Sequence, residues 1–173
     1  SGVDDDIYGT HVSSDHEIVS PGSGVPIVIE GGNQNAKTIE YAGGSEAFIA
    51  WVDSREGANA DVYGQRLNIA MEGLFQDNGI PIAATDEQEL KPRATFVQGT
   101  TSFITWKEGD ENSKVYYQHI DHEGLVFDVK RSISDNAALQ TAPRVKRGTN
   151  GDVFVNWKDL RDDPIDGDQY FQK

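Results

Sequence analysis

Tyrosines stand at positions 8, 63, 116 and 170 of this 173-residue chain, at spacings of 55, 53 and 54, in the settings DIYGTHV, DVYGQRL, KVYYQHI and DQYFQK. Tryptophans keep nearly the same interval: Trp51, Trp106 and Trp157 lie 55 and 51 apart, in EAFIAWVD, TSFITWKE and DVFVNWKD. VPIVI at 25–29 and IPIAA at 80–84 are 55 apart, and KPRATF and APRVKR pair at a spacing of 51. Independent markers therefore agree on a period near 54. This repeat constrains the fold more than any other feature. A small unit in tandem cannot cover its own apolar side and has to stack on its neighbours.

Within one unit the residues read as four short strands. PRATFV (92–97) is strand A, and the Gly-containing QGTT turns the chain into strand B, SFITW (102–106). Strand B is rich in β-branched and aromatic residues, as strands prefer. The acidic loop KEGDENS leads to strand C, KVYYQHI, where apolar and polar residues alternate as on a half-buried strand. HEGL then turns the chain into a weaker outer strand D. No segment keeps an i, i+3, i+4, i+7 apolar pattern over three turns, so helices are expected to be absent or very short. Four antiparallel strands repeated at this interval describe a β-propeller blade. A sandwich also uses short strands, but it would not repeat one tetrad with the same aromatic residue in the same slot. The fold class expected is thus all-β, built of about three four-stranded blade units.

WVDSREGANADVYGQRL and WKDLRDDPIDGDQYFQ resemble the W-x-D-x-R…D-x-Y blades of TolB-like, WD-type propellers in bacterial and archaeal surface proteins. The resemblance covers nearly the whole chain and implies a blade type and a secreted or cell-surface setting, rather than one activity. The middle unit, WKEGDENSKVYY, departs from it: Glu108 takes the Asp slot and no Arg stands at the third position.

Counted from the start, the strands run C–D (1–36), a blade (37–91), a second blade (92–142) and a closing A–B–C (143–173). Propellers close with four or more blades. Either the segment belongs to a longer parent, or two copies join, each lending its opening strand D to the other's closing strands to give six blades. An unpaired strand edge attracts another edge, which favours such pairing.

The net charge of −14, from 29 acidic and 15 basic residues, repels phosphate backbones and excludes a nucleic-acid partner. It suits divalent cations or cationic partners. The chain has no cysteine, so no disulfide helps to hold it, and no 18-residue apolar run, so no membrane span is expected. Its start carries no basic-plus-apolar leader, as expected of a mature exported form.

Fourteen of the 29 acidic residues fall in the B–C loops and their counterpart at the start. They include Asp53 and Asp61, Glu108, Asp110 and Glu111, and Asp159, Asp163, Asp166 and Asp168, with Arg55 and Arg161 among them. Three readings fit. Each Asp-x-Arg…Asp set is a corner staple, its Arg fork holding two carboxylates, Asp53 and Asp61 around Arg55. Alternatively, DDPIDGD supplies oxygen ligands for calcium at Asp159, Asp163, Asp166 and Asp168, although no EF-hand spacing is present. A carboxylate pair for glycoside hydrolysis is the third, at odds with recurrence in every unit. Asp53, Arg55, Asp61, Glu108, Asp110, Asp159 and Arg161 make up the candidate binding face, open to a glycan.

Trp51, Trp106 and Trp157, with Tyr63, Tyr116 and Tyr170, are expected to pack between units, the phenols bonded at the edges. His119 and His122 fall on opposite faces of a strand and do not suit shared metal ligation. Lys130-Arg131 reads as a short solvated patch. The function expected is a non-catalytic extracellular propeller module for assembly, adhesion or ligand binding. A calcium-dependent carbohydrate-binding module, or part of a propeller glycosidase, is the alternative.

Overall fold

The computed structural model describes residues 4–57, 59–97, 99, 101–126, 129–162 and 167–172. Thirteen strands and no helix form among them. They group into four antiparallel sheets taken in chain order. β1 (Ile7–Gly9) pairs with β2 (Val25–Val28). β3 (Gln34–Gly43), β4 (Glu46–Asp53), β5 (Asp61–Leu67) and β6 (Ile80–Ala83) form the second sheet. β7 (Glu89–Phe96), β8 (Ser102–Glu108), β9 (Lys114–Ile120) and β10 (Arg131–Ser132) form the third. β11 (Gln140–Arg147), β12 (Val153–Asp159) and β13 (Asp168–Gln172) form the fourth. The chain is all-β, and each sheet is a meander. The outer strand after HEGL is short: β10 has only two residues.

The first strand of each of the last three sheets carries a bulge, at 35–38, 90–93 and 141–144. The bulge explains the prolines. Pro92 and Pro143 lack the N–H that a regular ladder would require, and they sit where the ladder is already broken. Lys91 and Ala142, the residues before them, take left-handed backbone conformations with φ of 57° and 51°.

In the second strands of the second and third sheets, successive apolar residues point to opposite faces and so meet two neighbours. In β4, Ile49 and Trp51 pack with Ile7 and Val28 of the first sheet, while Phe48 and Ala50 pack with Ala94, Ile104 and Trp106 of the third. In β8 the pattern recurs: Ile104 and Trp106 face back, and Phe103 faces forward to Val145, Val155 and Trp157 of the fourth sheet. Trp51, Trp106 and Trp157 are 0%, 0% and 3% exposed and lie in the three joints between consecutive sheets. Full burial of such a side chain is worth several kcal/mol, of the order of 3–5.

One backbone bond also repeats at each joint. Gln34 N–H donates to Asp5 O, Glu89 N–H to Ala60 O and Gln140 N–H to Ser113 O, at 2.8, 2.7 and 2.8 Å. β3, β7 and β11, the first strands of their sheets, pack beside one another. β2 is hydrogen bonded to β1 and buries Val28, so an opening strand D could be lent to another chain only by stripping it from β1. No helix among the described residues is long and apolar enough to cross a membrane.

Candidate functional site

The Trp-x-Asp-x-Arg stretch ends strand β4 and turns into the loop before β5. Strand alternation puts Trp51 and Asp53 on one face, two residues apart, and the register sets Trp51 opposite Tyr63. The result is a four-part corner. Trp51 Nε1–H donates to Asp53 Oδ2 at 2.7 Å. Arg55 donates from its backbone N to Asp53 Oδ1 at 2.9 Å and from Nη2 to Oδ2 at 2.6 Å. The same guanidinium lies 4.2 Å over the Tyr63 ring, whose centroid is 6.2 Å from that of Trp51. Asp53 is wholly buried. Burial alone would push its carboxyl up, but the Arg55 and Trp51 hydrogen bonds outweigh that and hold it below its usual range.

The closing sheet builds the same corner. Trp157 Nε1–H donates to Asp159 Oδ2 at 3.1 Å, and Arg161 donates to both carboxylate oxygens at 2.7–3.0 Å. Arg161 lies 3.9 Å over Tyr170, itself 6.3 Å from Trp157. The Arg161 hydrogen bonds bring the Asp159 carboxyl down to about 2 despite burial. The Tyr170 hydroxyl donates to Asp162, which pushes the phenol up to about 12.

The middle sheet reaches the same arrangement with different residues. Trp106 Nε1–H donates to Glu108 Oε2 at 3.3 Å, and Trp106 and Tyr116 are 6.3 Å apart. The cation is Lys130, which bonds Glu108 Oε1 at 2.5 Å and lies 4.9 Å from the Tyr116 centroid. Lys130 is therefore a corner residue and not part of a solvated patch. Asp110 occupies the slot that Arg55 and Arg161 hold in the other sheets; it is 65% exposed and stands 3.7 Å from Lys107.

The Arg forks do not each hold two carboxylates. Arg55 bonds Asp53 and the carbonyl of Asn78, at 2.9 Å, and Asp61 turns instead towards Glu89. Glu89 belongs to a slot that sequence reading missed. Gln34, Glu89 and Gln140 open β3, β7 and β11, are all fully buried, and pair in register with Asp53, Glu108 and Asp159. Gln140 donates to Asp159 at 3.4 Å, as an amide can. Glu89 faces a carboxylate instead. Burial and the nearby Glu108 and Asp61 charges push it up to about 7, against the hydrogen bond from Thr85. Burial raises Asp61 as well. The spacings of 55 and 51 from Gln34 to Glu89 to Gln140 were the available signal.

Two cavities stand out, the first at the middle corner and the second away from the corners. One of about 360 Å³ is lined by Glu87, Glu108, Asp110, Glu111, Lys114 and Tyr116 and is strongly acidic. The other, of about 330 Å³, lies between the third and fourth sheets, with Phe103, Tyr117, His119 and Val153 on its wall. His119 packs edge-on to Phe103 at 5.0 Å, whereas His122 is near Glu123 at 3.8 Å.

Of the expected calcium ligands, Asp163 and Asp166 lie outside the described residues. Asp168 is exposed, opposite Asp159 in the strand register. The oxygens of Asp159 already accept from Trp157, Arg161 and Gln140. Among the described residues no three His, Asp or Glu side chains converge as a metal centre. Compared with known proteins, the chain matches no family model, no curated sequence and no solved structure.

Proposed function

We propose that this chain is a segment of a β-propeller of the TolB-like blade type, serving an exported or cell-surface protein as a non-catalytic module for assembly, adhesion or ligand capture. One observation carries the reading: the Trp–carboxylate–cation–Tyr corner is built three times, at the same Trp–Tyr separation of 6.2–6.3 Å. A reaction centre is needed once, whereas a joint is needed at every junction. In the flanking corners the first carboxylate and the Arg of the motif are also occupied by one another. The repeated joint bond from Gln34, Glu89 and Gln140 supports a constant step from sheet to sheet, as a propeller requires.

The acidic cavity favours a second reading, because it sits where the repeat is broken. There Glu108, Asp110 and Glu111 would serve a calcium-dependent carbohydrate-binding module or part of a propeller glycosidase. A glycan array, run with and without chelator, separates the two. The assembly reading expects no chelator-sensitive sugar binding. Chelator-sensitive binding that Asp110→Asn and Glu111→Gln abolish would replace it with the second.

A further inference from the structure

The joints between the second and third sheets and between the third and fourth show which slots meet. Phe48 packs with Ala94, and Phe103 packs with Val145. Ala94 and Val145 pair across from Ile104 and Val155, and they are 2% and 6% exposed. Ile39 is the same slot in β3, paired across from Ile49, yet it is 58% exposed. It lies on the backward face of the second sheet, and the first sheet, with two strands among the described residues, leaves it uncovered. Tyr8, in the slot of the packed Tyr63, is likewise exposed.

The forward face of the fourth sheet is the opposite half of such a joint. Lys146 pairs with Phe154, Arg144 and Phe171 with Asn156, so all five share that face. Phe154 takes the slot of Phe48 and Phe103 and is 46% exposed against their 2% and 5%. Phe171, in the slot of Tyr117, is 78% exposed. Between them lies a shallow groove of about 150 Å³.

Charge separates the two ends in a matching sense. Residues 1–36 hold six carboxylates and no Lys or Arg. The groove is flanked by Arg144 and Lys146, and the affinity of Arg93 for its proton is lowered by burial and by the neighbouring Arg144. In a chain of net charge −14 this basic face is the exception; the aspartates of 159–168 lie at the other end of β12 and β13, where one strand leads into the next, and residues 1–36 carry a net charge of six negatives at the opposite end of the row of sheets.

We infer that the Phe171 face of one copy docks head to tail on the Ile39 face of a second copy, and that two such junctions close a pair. The inference rests on the stacked-sheet reading of the proposed function, since it continues the internal joints across a molecular boundary. A closed pair is expected rather than a filament because symmetric dimers satisfy both ends at once. The contact is of faces: β2 stays on β1, and no strand is exchanged.

Sedimentation velocity of the whole chain at micromolar concentration tests it. The wild type should sediment at twice its mass of 19.0 kDa, and less so as salt is raised. Phe171→Glu, Ile39→Glu and Lys146→Glu should each give monomers that keep the native near-ultraviolet tryptophan signal, since all three side chains are exposed in the single chain. An equimolar mixture of F171E and I39E should regain pairs through the one intact junction. A monomeric wild type with a native near-ultraviolet tryptophan signal would overturn the docking while leaving the stacked sheets standing. A dimer broken by F171E but indifferent to I39E would overturn it too, because that contact would be tail to tail. Loss of the tryptophan signal in the wild type would instead sink the stacked-sheet reading itself.

Discussion

The middle corner and the two that flank it reach one geometry by different routes. Around Asp53 and Asp159 the cation is an Arg two residues on, bonded to the carboxylate by backbone and side chain together. Around Glu108 it is a Lys from 22 residues away, about a third exposed, attached by a single bond. The opposing slot holds Gln in the flanking sheets and Glu in the middle one. What is kept is the demand of the buried indole and carboxylate for a partner; which residue meets it is free to vary. The flanking corners are locally closed, whereas the middle one depends on the return of the chain and carries an excess of acid.

The tryptophan should matter most, and equally in both kinds of corner. Trp106→Ala empties a fully buried indole site and should cost about 4 kcal/mol, read as a lowered denaturant midpoint. Wild-type-like unfolding would place that side chain outside the joint. The carboxylate should come next. Asp53→Ala strands the Trp51 N–H and the Arg55 guanidinium and should cost about 3 kcal/mol, with Asp53→Asn milder.

Acid and base should separate the corners. Asp159 is lowered to about 2 from 3.8, so its contribution is in place above 3.8 and is lost as pH falls towards 2. Glu89 runs the other way. Its carboxyl is raised to about 7 from 4.5, so the folded chain holds a proton that the unfolded chain has shed. Stability on its account is full below 4.5, declines as pH rises to about 7, and is level above that. Glu89→Gln, which restores the residue type of Gln34 and Gln140, should add roughly 2 kcal/mol at pH 8 and almost nothing at pH 4. An equal gain at both pH values would mean that the buried charge of Glu89 is not what the amide relieves. The smallest effect should be at Lys130. Lys130→Met should cost about 1 kcal/mol, the scale of a partly exposed pair. Asp110→Arg, which rebuilds the flanking pattern, should recover it when both are measured by chemical denaturation.

These differences track what the sequence could disclose. Trp51, Trp106, Trp157 and their tyrosine partners were legible because one residue type recurs at one interval in matching strands. The strand order followed from the same interval. Lys130 was hidden because its link to Glu108 crosses 22 residues and has no cationic counterpart in the second sheet, where Asn78 supplies a carbonyl to Arg55. Glu89 was hidden because its slot mixes Gln and Glu, so its chemistry emerges only from the cross-strand register. Asp61 misled for the same reason: near Arg55 in sequence, it turns towards the next sheet and Glu89.

Nuclear magnetic resonance of the three indole N–H groups tests the central claim most directly. Each is expected to be shifted downfield and slow to exchange with solvent, and Asp53→Asn, Glu108→Gln and Asp159→Asn should each move one resonance, that of Trp51, Trp106 or Trp157. Indoles that exchange quickly, or that ignore the carboxylate two residues on, would contradict the recurring corner and with it the stacked sheets.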